Sequence, residues 1–548
     1  MRKDELKRRL GVLKTLADRM GEDINDWKLY HDYFLILRTL PACGHKWRAS
    51  ERLKGFCAVA LEQGIGFSDK VSSLMKEILL MEARGLRFDS YMQFIELNRE
   101  PEKRFWLPRR KQLLPVVKEI QRLVDGKLDI LSISLPPGTG KSTLEIFLLS
   151  MMIGAEPDKP NLMVGHSDSM AGSIYDGVLN ILENDAEYLW HEVFPDTPDR
   201  FTNAKLGTID VGRRHRFSSL TCASIKGKSL TGRTRFENIL CADDLVSGIE
   251  EAMSIERLGT LWGEYTTNVT TRSKMGGREL HLATRWSLHD VIGRLERMNH
   301  DNPRAKFLVI PALDEKGKSN FDYDYGVGFD TEYFERQKKM LDDASFRALM
   351  MGEPVERKGT LYSVNDTRVF FEIPEHEPDA IIAICDTKDS GEDYSFLPVA
   401  YVYGEDYYIV DCVCDNGLPE MVDARLAEIL LRHSVQMARF ESNSAGGRIA
   451  QKVQEIVKAH GGRTNITTKF TQSNKETRII VNSAWVKEHC LFQNDPTDAD
   501  YKKMMDFKYG YTVSGKNKYD DVPDGLSMLS EFAQSLSGQK PQIFKRPF

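Results

Sequence analysis

Apolar positions change rhythm three times along the chain. In the first hundred residues they fall at helical spacing. Leu6, Leu10, Leu13 and Met20 make one stripe with Lys and Arg around it, and the run 71–83 is a second. A helical layer with no catalytic signature, a docking or regulatory element, is expected over 1–100. From about residue 105, short β-rich runs at 130–135, 162–165, 238–241, 280–284 and 307–310 alternate with helical stretches. That alternation predicts a mostly parallel sheet covered by helices, over 101–350. The segment 351–376 carries Gly352, Pro354, Gly359 and Pro374 and reads as a linker. Beyond it the runs at 380–385, 397–403 and 408–412 predict three strands close together, the last two joined by a turn near Gly404. A helix over 419–432 and a strand over 435–440 follow, within a domain expected to span 377–535. The tail 536–548 is polar, Gly/Pro-punctuated and expected to be loose.

Composition narrows the class without choosing a function. The chain has 548 residues, 41% hydrophobic and 28% charged, with a net charge of −6. That charge excludes a wholly basic protein, yet a local basic groove suffices for nucleic-acid binding. The longest apolar stretch, 147–155, is far below the roughly 20 residues of a membrane span. The N-terminus lacks the apolar core of a secretory signal, and the eight cysteines include no CxxC pair, which predicts a reduced, intracellular protein. Cys43, His45 and Cys57 lack a fourth zinc ligand at a standard spacing.

One segment has the composition of a phosphate site. Ser134-Leu-Pro-Pro-Gly-Thr-Gly-Lys-Ser-Thr143 follows a predicted strand and opens an apolar helix. Pro137, Gly138, Thr139 and Gly140 would wrap phosphate oxygens with backbone N–H groups. Lys141 would reach the terminal phosphates, Ser142 would ligate Mg²⁺, and Thr143 completes the set. The pattern departs from the strict P-loop at Leu135, where glycine is usual. The apolar strand ending in Asp243 and Asp244 offers the second carboxylate source: Asp243 for the Mg²⁺ shell, Asp244 to orient or deprotonate water, a place where Glu is commoner. Upstream, Gln112 is a candidate to read adenine.

Acids at strand ends mark a second site. Asp386 closes the strand 380–385, Glu441 closes 435–440, and Asp520, Asp521 and Asp524 cluster at a predicted helix start. Carboxylates gathered at one sheet edge repel unless cations fill the site. Two Mg²⁺ or Mn²⁺ ions about 4 Å apart would satisfy them and clamp a phosphodiester for water attack. Three strands, a helix and a strand fit an RNase H-like sheet.

With both sites in one chain, residues 105–535 resemble the large terminase subunit of tailed bacteriophages. Lys226-Gly-Lys-Ser-Leu-Thr-Gly-Arg233 precedes the acid strand as in that family. Ala283-Thr-Arg-Trp-Ser-Leu-His-Asp-Val-Ile-Gly-Arg-Leu295 resembles its coupling segment. Gly352-Glu-Pro354 with Gly359 resembles its passage between domains, and Asn474-Lys-Glu-Thr-Arg478 a segment between nuclease acids. The resemblance implies an α/β chain: a helical N-terminal region, a P-loop ATPase domain with helices on both faces of its sheet, and an RNase H-like nuclease domain. It implies ATP with Mg²⁺ on Lys141, Ser142 and Asp243. Thr284 and Arg285 would sense the γ-phosphate, and Arg233 would reach a neighbouring subunit's ATP. Asp386, Glu441 and Asp521 would be the nuclease acids, with Asp520 or Asp521 as third metal ligand and Asp524 beside them. The basic residues Lys226, Lys228, Arg233, Arg235, Lys469 and Lys475 would track a DNA backbone. The implied partners are double-stranded DNA, a viral portal protein and a small terminase subunit. The implied assembly is a pentamer on the portal and a monomer free in the host cytoplasm, away from membranes. A cellular helicase–nuclease of repair or defence is the alternative.

Overall fold

Helical periodicity in the first hundred residues produces five helices: Lys3–Glu22, Trp27–Arg38, Gly44–Glu62, Ser68–Arg84 and Phe88–Ile95. The Leu13 and Met20 stripe meets Leu29, Tyr33, Leu53 and Ile78 in a core of its own. The computed structural model describes residues 2–197, 199–227, 230, 234–355, 359–387, 393–443, 446–471, 474–513, 517 and 519–537. The chain divides into one compact unit of Met1–Phe334 with Ala348–Pro354 and another of Glu335–Arg347 with Val355–Phe548. The helical layer therefore shares a unit with the first sheet. Buried groups tie the two: Glu96 accepts from the N–H groups of Phe105 and Trp106, and Tyr91 bonds Ser150.

In the first unit the strands are β1 (Ile130–Ser134), β2 (Asn161–Gly165), β3 (Arg200–Asn203), β4 (Thr208–Val211), β5 (Leu220–Ser224), β6 (Ile239–Asp243), β7 (Arg278–Ala283) and β8 (Ala305–Val309). Among the described residues they form one sheet in the order β3-β4-β5-β2-β6-β7-β1-β8. From β5 to β8 every pairing is parallel, as the alternating pattern predicts; β3 and β4 add an antiparallel edge. That edge has no counterpart in the sequence reading, because β3 is polar and largely exposed and shows no alternation.

In the second unit the strands are β9 (Arg368–Phe370), β10 (Ala380–Cys385), β11 (Ser395–Tyr403), β12 (Asp406–Asp415), β13 (Met437–Glu441), β14 (Asn465–Lys469) and β15 (Cys490–Gln493). Their order is β14-β13-β10-β11-β12-β15-β9. The expected hairpin pairs Tyr403 with Asp406 across Gly404, whose φ of 62° suits glycine. The expected helix Pro419–Arg432 returns the chain so that β13 lies parallel to β10. This is the RNase H-like arrangement. β9, β14 and β15 extend it at its margins; β9 and β14 are short and mostly exposed, and the sequence reading misses all three. Among the described residues no helix is long and apolar enough to cross a membrane.

Candidate functional sites

The loop between β1 and the helix Lys141–Ala155 holds the phosphate motif. Gly138 and Gly140 sit at φ 76° and 111°. A Cβ on Gly138 would stand 2.9 Å from the Phe329 ring, and one on Gly140 2.9 Å from Phe105. Glycine is required twice over, by dihedral and by space. Leu135, at the variant position, is buried, and its carbonyl serves the site. Lys141 Nζ donates to Leu135 O at 2.8 Å and to Thr284 Oγ1 at 2.9 Å. Burial lowers the Lys141 pKa, so these oxygens hold an ammonium short of solvent. Thr139 is buried and Pro137 exposed; Thr143 is half-buried on the helix.

Ser142 Oγ donates to Asp243 Oδ2 at 2.6 Å. The other Asp243 oxygen is buried and receives no hydrogen bond from the described residues. Burial first, and Asp244 second, push Asp243 up to about 7. Glu145, wholly buried further along the P-loop helix, is also raised by burial and by Asp243. A divalent cation beside Ser142 would relieve both, so the donor set fits Mg²⁺. Asp244 is held at φ 37°, its Oδ1 accepting from Thr284 N at 2.7 Å. β6 and β7 are neighbours, so Lys141, Ser142, Asp243, Asp244 and Thr284 come together.

Arg285 does not join them in this state. Its buried guanidinium faces Asp290 at 3.4 Å and Glu296 at 3.3 Å, acids further along the chain. These two acids hold the side chain. Arg233 and Lys228 lie outside the described residues. Gln112 Nε2 donates to Asp322 O at 2.7 Å, while its Oε1 is buried without a donor among the described residues. Arg109 lies over Phe105 and Tyr323, at 4.7 and 5.2 Å from the ring centroids. Tyr323 in turn bonds Thr139 O at 2.9 Å. Tyr323 and Phe329 reach the loop from far along the chain, which no local pattern reveals.

The second site lies where β10 and β13 end side by side. Cys385 pairs with Phe440, so the next residues, Asp386 and Glu441, emerge at one edge. The helix Asp521–Ser537 starts there and adds Asp521 and Asp524. One oxygen each of Asp386, Glu441 and Asp524 lies within 4.8 Å of the others. Of the three expected acids of this segment, Asp524 is the one that joins the tight set; Asp520 and Asp521 lie outside it. Asp521 lines the basin wall and accepts from Tyr394 N at 3.1 Å. Asp520 stands at the rim, 41% exposed. A helix start was legible in the sequence, but which of its acids faces inward depends on the helix phase.

Two cations enter the basin. Arg478 forks onto Asp524 at 2.8 and 2.6 Å and lies 3.5 Å from Glu441. Lys475 Nζ stands 2.9 Å from Asp520, 3.4 Å from Asp521, and 3.6 Å from both Asp386 and Asp524. Burial alone would lower the Lys475 ammonium, but the surrounding carboxylates hold it above its usual range. Burial raises Asp386 strongly despite Lys475, with Asp524 and Glu441 adding to the rise. With Asp393, which also lines the basin, six carboxylates face two cations among the described residues, and Asp386 Oδ2 has no hydrogen-bond donor among them. Hard oxygen ligands with excess negative charge fit divalent Mg²⁺ or Mn²⁺.

Residues 385–489 match the family model described as "Terminase Bacteriophage T7, Ribonuclease H-like domain". This segment is similar to the terminase RNase H-like domain. The resemblance to a terminase large subunit is borne out by that match. Asp386, Glu441, Lys475 and Arg478 fall inside the terminase segment, and Asp521 and Asp524 follow it. Among solved structures, the chain is similar to the large terminase of a thermophilic bacteriophage, at 11% identity and TM-score 0.46, over 77% of this chain and 98% of that one. It is similar to the large terminase ATPase domain of Thermus phage P74-26, at 13% identity and TM-score 0.29, over 42% and 90%. It is also similar to the terminase nuclease domain of bacterial virus Sf6, at 8% identity and TM-score 0.22, over 28% and 89%. A comparison with curated proteins gives no match.

Proposed function

We propose that the chain is a large terminase subunit: an ATP-driven translocase of double-stranded DNA joined to a metal-dependent endonuclease. The observation that carries this reading is the carboxylate basin of Asp386, Glu441 and Asp524, set at a segment similar to the terminase RNase H-like domain on the same chain as a phosphate loop. In the ATPase site, Gly138 and Gly140 leave backbone room for phosphates, Lys141 would release Leu135 O to bind them, and Ser142 with Asp243 would hold Mg²⁺. Asp244 would align the attacking water, its carboxylate already fixed by Thr284 N. Thr284, bonded to Lys141, would register whether phosphate is present. Gln112 would read adenine, and Arg233 would reach a neighbouring subunit's ATP. In the nuclease site, Asp386, Glu441 and Asp524 would hold two Mg²⁺ or Mn²⁺ ions, with Asp521 at the wall. The ions would clamp the phosphodiester and make water nucleophilic at neutral pH. Arg478 keeps Asp524 turned into the basin.

In this reading the protein cuts concatemeric viral DNA and pumps it into a procapsid. Its partners are a portal protein and a small terminase subunit, its working form is a pentamer on the portal, and its setting is the host cytoplasm. The test is plasmid cleavage with Mg²⁺ or Mn²⁺, wild type beside Asp386→Asn. Metal-dependent cutting that disappears in the variant is the expected result. Equal behaviour of the two proteins would remove Asp386 from the nuclease site.

A further inference from the structure

The edge of the first sheet carries an unpaired basic strip. Residues 200–216, which span the β3–β4 hairpin and the loop after it, hold five Lys or Arg against one Asp, in a chain of net charge −6. The Asp is not free to neutralise them: Asp210 is buried and accepts from Ser219 N at 3.1 Å. Arg200 turns inward, with its guanidinium on Leu182 O and His191. Arg213 pairs with Asp158 at 2.6 Å. That leaves Arg214, Arg216 and Lys205, all exposed, together with exposed Arg235 from the segment before β6. None of these four makes an ion pair among the described residues.

The three arginines are not loose. Arg214 lies over the Phe201 ring at 5.3 Å, Arg216 over Phe217 at 5.5 Å, and Arg235 over the same Phe217 at 4.8 Å. Aromatic faces hold the guanidiniums at fixed places while their N–H forks stay in solvent. Such forks match phosphate oxygens bidentately. Each ring already has a guanidinium over one face, which leaves less of it to stack an unpaired base. The hairpin's one amide, Asn203, accepts from Leu206 N at 3.2 Å through Oδ1. Fixed cations without an ion-pair partner among the described residues, spread along one strip, suit the phosphate backbone of a polyanion.

We propose that this strip docks the phosphate backbone of duplex DNA, through Arg214, Arg216 and Arg235. The proposal rests on the motor–nuclease reading for its partner, and it places the contact at the antiparallel edge rather than at either reaction site. The test is binding of a short blunt DNA duplex of arbitrary sequence to the full chain. It is run across a salt series in chelator and without ATP, so that neither cutting nor hydrolysis intervenes. The triple variant Arg214→Ala/Arg216→Ala/Arg235→Ala should bind more weakly for all sequences alike. Its slope of log affinity against log salt should fall by about one per arginine, about three in all. The corresponding triple Lys variant keeps the charge and should keep most of the slope, which separates charge loss from misfolding. Wild-type affinity and slope in the triple Ala variant would overturn the proposal, as would an equal loss in the Lys and Ala variants. Hydrolysis of ATP without DNA and metal-dependent cutting, measured on the same preparations, report on the motor–nuclease reading alone. An active chain with an unchanged slope refutes only the strip, and an inactive chain with a reduced slope refutes only the reading.

Discussion

Lys508 shows what a single buried charge does to this molecule. It is 1% exposed and sits over the rings of Phe492, Tyr509 and Tyr362, at 4.5, 4.5 and 5.1 Å. Among the described residues its ammonium has one hydrogen bond, to Thr367 Oγ1 at 2.6 Å. Burial lowers its pKa to about 7, with Lys487 adding to the fall and Asp366 and Cys490 partly opposing it. The unfolded chain keeps its lysine proton up to the ordinary value of 10.5, so between these limits the unfolded state binds more protons. Stability of the second unit should therefore rise with pH through that window, by about 1.4 kcal/mol per pH unit from this group. Lys508→Met removes the titration. Its urea midpoint, compared with wild type at pH 7 and pH 10, should be favourable at the lower pH, and the advantage should shrink at the higher. A constant difference would mean that Lys508 is charged throughout. Residue scale is also where the sequence was least legible. Asp520, Asp521 and Asp524 look alike in a string. Only the phase of the helix Asp521–Ser537 turns Asp524 toward Asp386 and Glu441 and leaves Asp520 at the rim.

Burial alone did not make an element legible: β5 and β15 are buried and were not expected, because polar Thr221 and Ser224 break one and the other is only four residues long. β1, β2 and β6 are short apolar runs, β7 is recognisable from Leu280 on, and the helix Pro419–Arg432 has its start marked by Pro419; all were expected close to their observed places. β3, β9 and β14 are exposed margins, with no apolar face to give a period of two. The phosphate loop was legible because its glycines answer to backbone geometry, which is local. What packs on them, Phe105 and Phe329, was not. This gives a test at the level of the loop. Gly140→Ala places a methyl 2.9 Å from Phe105 at φ 111°, in the backbone that would wrap phosphate. Gly126 also has positive φ, 68°, but a Cβ there meets nothing within 4 Å. Gly126→Ala should cost only the backbone term, about 1–2 kcal/mol of stability, and bind a fluorescent ATP analogue as wild type does. Gly140→Ala should lose that binding. Equal affinities for the two variants would show that the loop at Gly140 does not approach the nucleotide.

At the scale of the whole molecule, the two sites belong to different compact units. Lys141, Ser142 and Asp243 lie in Met1–Phe334; Asp386, Glu441 and Asp524 lie in Val355–Phe548. Each site is assembled within its own sheet: the first from the adjacent β6 and β7 with the loop after β1, the second from the ends of β10 and β13 and the helix that starts beside them. Order in the sequence made this division visible, because the two sets of motifs never interleave. The consequence is a double dissociation. Lys141→Ala removes the cation that reaches from Leu135 O to Thr284 and should abolish ATP hydrolysis, yet metal-dependent plasmid cutting without ATP should continue at the wild-type rate. Asp386→Asn should do the reverse, abolishing cutting and leaving hydrolysis without DNA intact. Assaying both variants for both activities makes four measurements. If Lys141→Ala also silenced cutting in the absence of nucleotide, the P-loop unit would have to hold the nuclease basin in its active form. The lysine's contact with Thr284, the first residue of the coupling run outside β7, would then be the place to look for the connection.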